Sequence, residues 1–131
     1  MSAGYTNRRV VITGVGVVSP IGIGNDSFWS SLMAGETGID YLQSIPHGGL
    51  PSKLAAEITD FDPAKFFENK KQLKVMSRDA QLGVASASLA VRDAKLKKGD
   101  IDPERLGVGF GAGRMLTTPQ ELAEAAEQCS A

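Results

Sequence analysis

The stretch RRVVITGVGVVSPIGIG, residues 8–24, limits the fold more than any other part of the chain. Two arginines precede residues 10–14, where Val10, Val11 and Ile12 are β-branched and apolar, and such a run suits a strand buried on both faces of a sheet. Gly14 and Gly16 then permit backbone that other residues avoid, while Pro20 lacks a donor and fixes φ, so the strand must end before Ser19-Pro20. The pattern predicts a strand, a tight turn, and a helix starting near Asn25. Two other readings of the stretch break down on detail. Glycines spaced G-x-G-x-x-G would set a dinucleotide pyrophosphate on a helix N-terminus, but the third position here is Ser19, Pro20 follows it, and no helix opens at the second glycine. Arg8-Arg9 before an apolar run has the charge pattern of an export signal, yet no small-x-small cleavage site follows.

The 131 residues suffice for one domain with one modest core. Fourteen basic and 15 acidic side chains leave a formal charge of −1, so the overall field gives no reason to expect nucleic acid or a membrane surface as partner. No apolar run approaches the roughly 18 residues of a membrane span. Cys129, the single cysteine, cannot close an internal disulfide, which fits a reducing cytoplasm.

Local signals divide the rest. Asn25, Asp26 and Ser27 are competent N-caps for a first helix whose stripe holds Phe28, Trp29, Leu32 and Met33, and Gly35 stops it. Residues 36–63 read mostly as loop, with a short strand at 53–58, and His47, the only histidine, falls in this loop. Asp62-Pro63 reads as a helix start, with the carboxylate as N-cap and proline at the first helical position, and Phe66 and Phe67 would anchor that turn. Leu73, Met76, Ala80, Val84, Ala87, Val91 and Ala94 then recur every three or four residues, predicting one long helix, rich in small residues, buried, and ended by Gly99. In residues 106–113, Leu106, Val108 and Phe110 alternate with Gly107, Gly109 and Gly111, so a second strand would have one apolar face and one of nearly bare backbone. Either the small-residue helix packs on that bare face or a ligand approaches it. Thr118, Pro119 and Glu121 announce a last helix whose apolar stripe, Leu122, Ala125 and Ala126, is thin.

RRVVITGVGVVSPIG, SFWSSLMAGETGI, FDPAKFF and LGVGFGAG, in this order and spacing, resemble the N-terminal part of the β-ketoacyl-[acyl-carrier-protein] synthases, the type II condensing enzymes. The resemblance implies an α/β chain: residues 1–131 as an incomplete N-terminal part of a thiolase-like, layered α/β/α fold. It also implies a parent acyltransferase of lipid metabolism, condensing an acyl-thioester with malonyl-carrier by decarboxylation in fatty-acid or polyketide synthesis, with no metal or redox cofactor. Its partners would be acyl carrier protein and the acyl-thioester, with a homodimeric parent in the cytoplasm. Such a site needs a cysteine nucleophile and two histidines. Cys129 lacks the alanine and glycine flanks of the family's nucleophile and His47 lies too early, so no catalytic residue is assigned and these residues alone are expected to be inactive.

Two features carry over from the family. Lys70, Lys71 and Lys74 lie within about one turn, and the matching part of the synthases docks the acidic carrier protein; read without the family they are a solvated face. Phe110 and Arg114 fall at the mouth of the acyl pocket, where arginine replaces a commonly apolar residue and would either narrow the pocket or turn to solvent. The rival functions are a small Rossmann-like nucleotide-binding domain and a non-catalytic module that docks carrier protein. Unpaired strands and open apolar faces predict self-association of the isolated chain.

Overall fold

The computed structural model describes residues 9–46, 48–67, 69–113 and 119–129, and among these the run at residues 10–14 belongs to no strand ladder. Val10 is 93% and Ile12 86% exposed, so the expectation of a strand buried on both faces is not met. The reason is geometric: a central strand needs neighbours on both edges and a layer on both faces. Here one helix, α2 (Arg78–Asp93), supplies the contact that exists.

That contact is close. A Cβ on Gly14 would overlap the Ala90 carbonyl and Ala94, and one on Gly16 would overlap the Ser86 carbonyl and the Ala90 amide. Side chains from two helices bind the intervening backbone. Val15 N–H donates to Asp93 Oδ2 at 2.9 Å, Ser86 Oγ donates to the Gly16 carbonyl at 2.6 Å, and Asn25 Nδ2 donates to the Val15 carbonyl at 2.8 Å.

Pro20 does end the extended run, but Ser19, expected beyond the strand, is its last residue, and the turn is a small hairpin: β1 (Val18–Ser19) pairs antiparallel with β2 (Gly22–Ile23), Val18 opposite Ile23. Helix α1 (Asn25–Ala34) begins at the expected residue. Its N-cap, however, is Gly24 with φ 93°, which has no side chain to cap with, and Asn25, the first helical residue, instead donates from Nδ2 to the Val15 carbonyl. Gly35 ends α1 in the left-handed region, with its N–H on the Leu32 carbonyl and the Glu36 N–H on the Ser31 carbonyl.

Within the predicted loop lies a second antiparallel pair, β3 (Ile39–Tyr41) with β4 (Leu54–Ala56), Asp40 opposite Ala55. The expected strand at 53–58 is thus present, and its partner was hidden. Asp62 caps the 3₁₀ turn Pro63–Lys65, accepting from the Ala64 N–H at 3.0 Å. Phe66 stacks on Phe61 at 5.8 Å, and among the described residues Phe61 and Ala85 are the two buried apolar ones.

The long periodic segment is not one helix. A 3₁₀ turn, Gln72–Val75, leads to an extended Met76, and α2 starts afresh with Ser77 Oγ accepting from the Ala80 N–H at 3.3 Å. Gln81 Nε2 donates to the Met76 carbonyl across the break at 3.1 Å. Nor does Gly99 end α2. Lys95 takes the left-handed position at φ 58°, with its N–H on the Arg92 carbonyl and the Leu96 N–H on the Val91 carbonyl. The expected burial of α2 is also corrected: of its residues only Ala85 is fully buried, while Val84 and Val91 remain 38% and 48% exposed.

Residues 106–113 form no ladder either, and their packing reverses the expectation. Gly107, Gly109, Gly111 and Gly113 face open space, whereas the Phe110 ring lies on Gly83 of α2, where a Cβ would overlap it. The helix meets the large-residue face. Helix α3 (Pro119–Cys129) begins at the proline predicted for its first position, and residues 122–129 are exposed. Thr118 lies outside the described residues.

Candidate functional site

The lysine cluster sits on a turn that its own sequence builds. Asn69 Oδ1 accepts from the Lys71 N–H at 3.1 Å, and the Asn69 carbonyl accepts from the Gln72 N–H at 3.1 Å, so one asparagine sets the start of the 3₁₀ turn. In 3₁₀ geometry residues three apart eclipse, which aligns Lys71 with Lys74, and Lys70 adjoins them. All three are exposed. They share a compact turn ahead of α2 rather than the first turn of one continuous helix, as expected from the periodicity.

Arg78, passed over in the sequence, ties this turn to the aromatic core. Its guanidinium lies 4.6 Å from the Phe61 ring centroid and donates to the Ile58 carbonyl at 2.8 Å. The available signal was an arginine directly after a capping serine, where the helix dipole does not favour a cation and another partner is needed.

Of the two residues expected at an acyl-pocket mouth, Phe110 is 59% exposed with its ring against Gly83, and Arg114 lies outside the described residues. His47 lies outside them as well. Cys129 is exposed at the last residue of α3. The chain therefore brings no thiol and imidazole together within the described residues. No group of three or more His, Cys, Asp or Glu among them could hold a metal ion, and no helix among them is long and apolar enough to cross a membrane.

Two recesses flank the 3₁₀ turn Pro63–Lys65. One, of about 570 Å³, opens between the β1–β2 hairpin and residues 58–66 and carries the carboxylates of Glu36, Asp60 and Asp62. The other, of about 540 Å³, lies between Phe66-Phe67 and the outward stripe of α2. Chemically, the site offers a cationic turn, an aromatic anchor behind it and a backbone strip bare of side chains.

Residues 7–130 match the family described as "Beta-ketoacyl synthase, N-terminal domain". The chain is 37% identical over 106 residues to 3-oxoacyl-[acyl-carrier-protein] synthase 2 of Coxiella burnetii, covering 81% of this chain and 25% of that protein. It is also 37% identical over 114 residues to the tetracenomycin polyketide synthase ketoacyl synthase alpha subunit of Streptomyces glaucescens, covering 87% and 26% respectively. Among solved structures, the ishigamide ketosynthase/chain length factor superposes with a TM-score of 0.66 at 37% identity, over 72% of this chain and 23% of that one. The chain spans about a quarter of the length of these curated relatives.

Proposed function

The chain belongs to the β-ketoacyl synthase family, within its N-terminal domain, and from that premise we propose that it is part of a 3-oxoacyl-[acyl-carrier-protein] synthase. The observation that carries this reading is the continuous match over residues 7–130, which takes in every segment of the resemblance. The thiolase-like α/β fold of the solved relative agrees with it. In the proposed reaction malonyl-carrier loses carbon dioxide, the carbanion so formed attacks the acyl-thioester carbonyl, and the enzyme's thiolate leaves. Nucleophilic catalysis of this kind calls on no metal or redox cofactor. The cysteine and two histidines that it requires are not assigned to this chain, so residues 1–131 are read as a scaffold, inactive alone, of a homodimeric cytoplasmic parent.

Lys70, Lys71 and Lys74 are proposed to meet acyl carrier protein. Their exposure on one turn supports this, since a compact positive patch steers an acidic partner and mainly sets encounter rate. Phe110 is proposed to line the mouth of the acyl pocket, with Arg114 beside it. The nucleotide-binding alternative loses its physical basis, because Gly14 and Gly16 lie against the C-terminal half of α2, at Ser86, Ala90 and Ala94, instead of at a helix N-terminus.

Two measurements test the reading. The native product carrying this chain should have a mass about four times that of residues 1–131, as the share of the relatives covered implies, and should form 3-oxoacyl-carrier from acyl- and malonyl-carrier. A native mass equal to this chain alone would sink the enzyme and leave carrier docking as the function. Reversing all three lysine charges should slow carrier association about tenfold at low salt and less at high salt. Unchanged association would remove the docking role while leaving the enzyme reading intact.

A further inference from the structure

Between the lysine turn and α2 the main chain runs extended for two residues, Met76 at φ −98°, ψ 130° and Ser77 at φ −60°, ψ 159°. The backbone bonds of the turn stop at Met76, whose N–H reaches the Leu73 carbonyl at 3.4 Å. Those of α2 begin at Ser77, whose carbonyl accepts from the Gln81 N–H at 3.0 Å. Among the described residues no backbone hydrogen bond spans the gap. Leu73 and Met76 are half-buried and hold the turn down, but apolar contact is non-directional and leaves its angle free.

The bonds that do cross the gap come from one side chain. Gln81 Nε2 donates to the Met76 carbonyl at 3.1 Å and to the Leu73 carbonyl at 3.4 Å. A side-chain amide has two N–H donors, so a single group can serve both acceptors. Leu73 and Met76 lie on either side of Lys74, and 3₁₀ register carries Lys71 with it. Hydrogen bonds are directional, and these two are partly buried, where water competes less. We propose that Gln81 is a positioning residue for carrier docking: it holds the lysine turn at one angle to α2, so that Lys71 and Lys74 meet the acidic carrier as an oriented patch. The inference rests on the docking reading of Lys70, Lys71 and Lys74, and adds that the orientation of the charges, beyond their sum, sets the productive encounter.

The test uses the intact protein that carries this chain. Gln81→Met keeps the side-chain length, the helix propensity and the net charge, and removes both donors. Stopped-flow association with acyl carrier protein at low salt should slow about threefold. The slowing should fade at high salt, where the patch no longer steers, and in a Lys74→Gln background, where the aligned pair is already gone. A merely structural glutamine would act equally in both backgrounds and at any salt. Asn69→Ala, which frees the Lys71 N–H at the exposed start of the turn, should slow association in the same salt-dependent way and serves if Gln81→Met fails to fold. Association unchanged by either substitution, while reversal of the three lysine charges still slows it, would overturn the role of Gln81 and leave docking intact. Equal slowing with and without Lys74 would also overturn it. If the lysine reversal itself had no effect, the docking reading would fall and take this inference with it.

Discussion

Residues 10–16 and 106–113 are both glycine-rich, ladder-free and set against α2, yet they meet that helix in opposite ways. At Gly14 and Gly16 the missing side chains are what lets two backbones touch, and Ser86, Asp93 and Asn25 bond the strip in place. At residues 107–113 the glycines face nothing, and a large side chain, Phe110, makes the contact. The same residue type therefore answers two needs. In the first segment glycine is explained within the chain; in the second the bare strip is a surface without a tenant.

The sharpest way to break this contrast is to add a side chain to each segment. Gly16→Val drives Cβ and two methyls into the backbone of α2, which cannot yield, and should lower the free energy of urea unfolding by about 3 kcal/mol. Gly109→Ala meets nothing within 4 Å and should shift it by less than about 0.5 kcal/mol. A large loss at Gly109 in the longer protein would show that its remainder covers the strip.

Gly83 and Phe110 offer a subtler version, since the obstacle there is a ring that can rotate away. Gly83→Ala should gain from helix propensity and lose from displacing Phe110, for a net cost of about 1 kcal/mol. In a Phe110→Ala background the same substitution should become stabilising by about 1 kcal/mol. A double-mutant cycle without coupling would mean that the ring does not rest on the helix.

These contrasts also explain what could be read beforehand. The starts at Asn25, Pro63 and Pro119 and the stop at Gly35 were legible because each is written in a few adjacent residues. The apolar patterns at 10–14 and 106–113 were legible, but a ladder belongs to a pair, and neither run is in a ladder among the described residues. β3 was missed because Ile39, Asp40 and Tyr41 carry a strand pattern too short to stand out from its glycine neighbour. In the 73–94 stripe, period alone could not show the break, since the stripe continues in phase across Met76; Ser77, a capping residue, was the overlooked sign. Of that stripe Val84, Ala87 and Val91 face outward to the recess beside Phe66 and Phe67, while the inward face works through Ser86, Ala90, Asp93 and Ala94. At the candidate site, charge made Lys70, Lys71 and Lys74 visible, but the Asn69 turn that aligns them and the Arg78 clasp behind them depend on three-dimensional partners.

Lys95 gives a smaller test, of how α2 ends. A side chain at φ 58° is strained by about 1 kcal/mol, and Gly99, four residues on, does not relieve it. Lys95→Gly should therefore raise stability by somewhat under about 1 kcal/mol, after the greater chain entropy of glycine is deducted. The melting temperature reads this directly, and a fall would mean that the lysine side chain contributes a contact larger than its strain.

The mildest effect is expected in the β3–β4 hairpin, where Glu57 closes the connection by accepting from the Gln43 N–H at 2.7 Å and the Ser44 N–H at 3.1 Å. Its carboxyl is held below the ordinary value of 4.5, first by a hydrogen bond from the Ser44 side chain and then by the Gln43 amide, with desolvation opposing and the Ser44 amide adding to the lowering. Because the folded value is depressed, the stabilisation is present above the unfolded value and is lost as pH falls through the folded one. Amide hydrogen exchange at Gln43 and Ser44, corrected for its intrinsic pH dependence, should thus show constant protection near neutrality and a decline only below about pH 4.5. Glu57→Gln should reduce that protection and remove its acid-dependent step. If the step persisted in the glutamine variant, another group would be closing the loop, and the hairpin would owe its register to the Ile39, Asp40 and Tyr41 pairings alone.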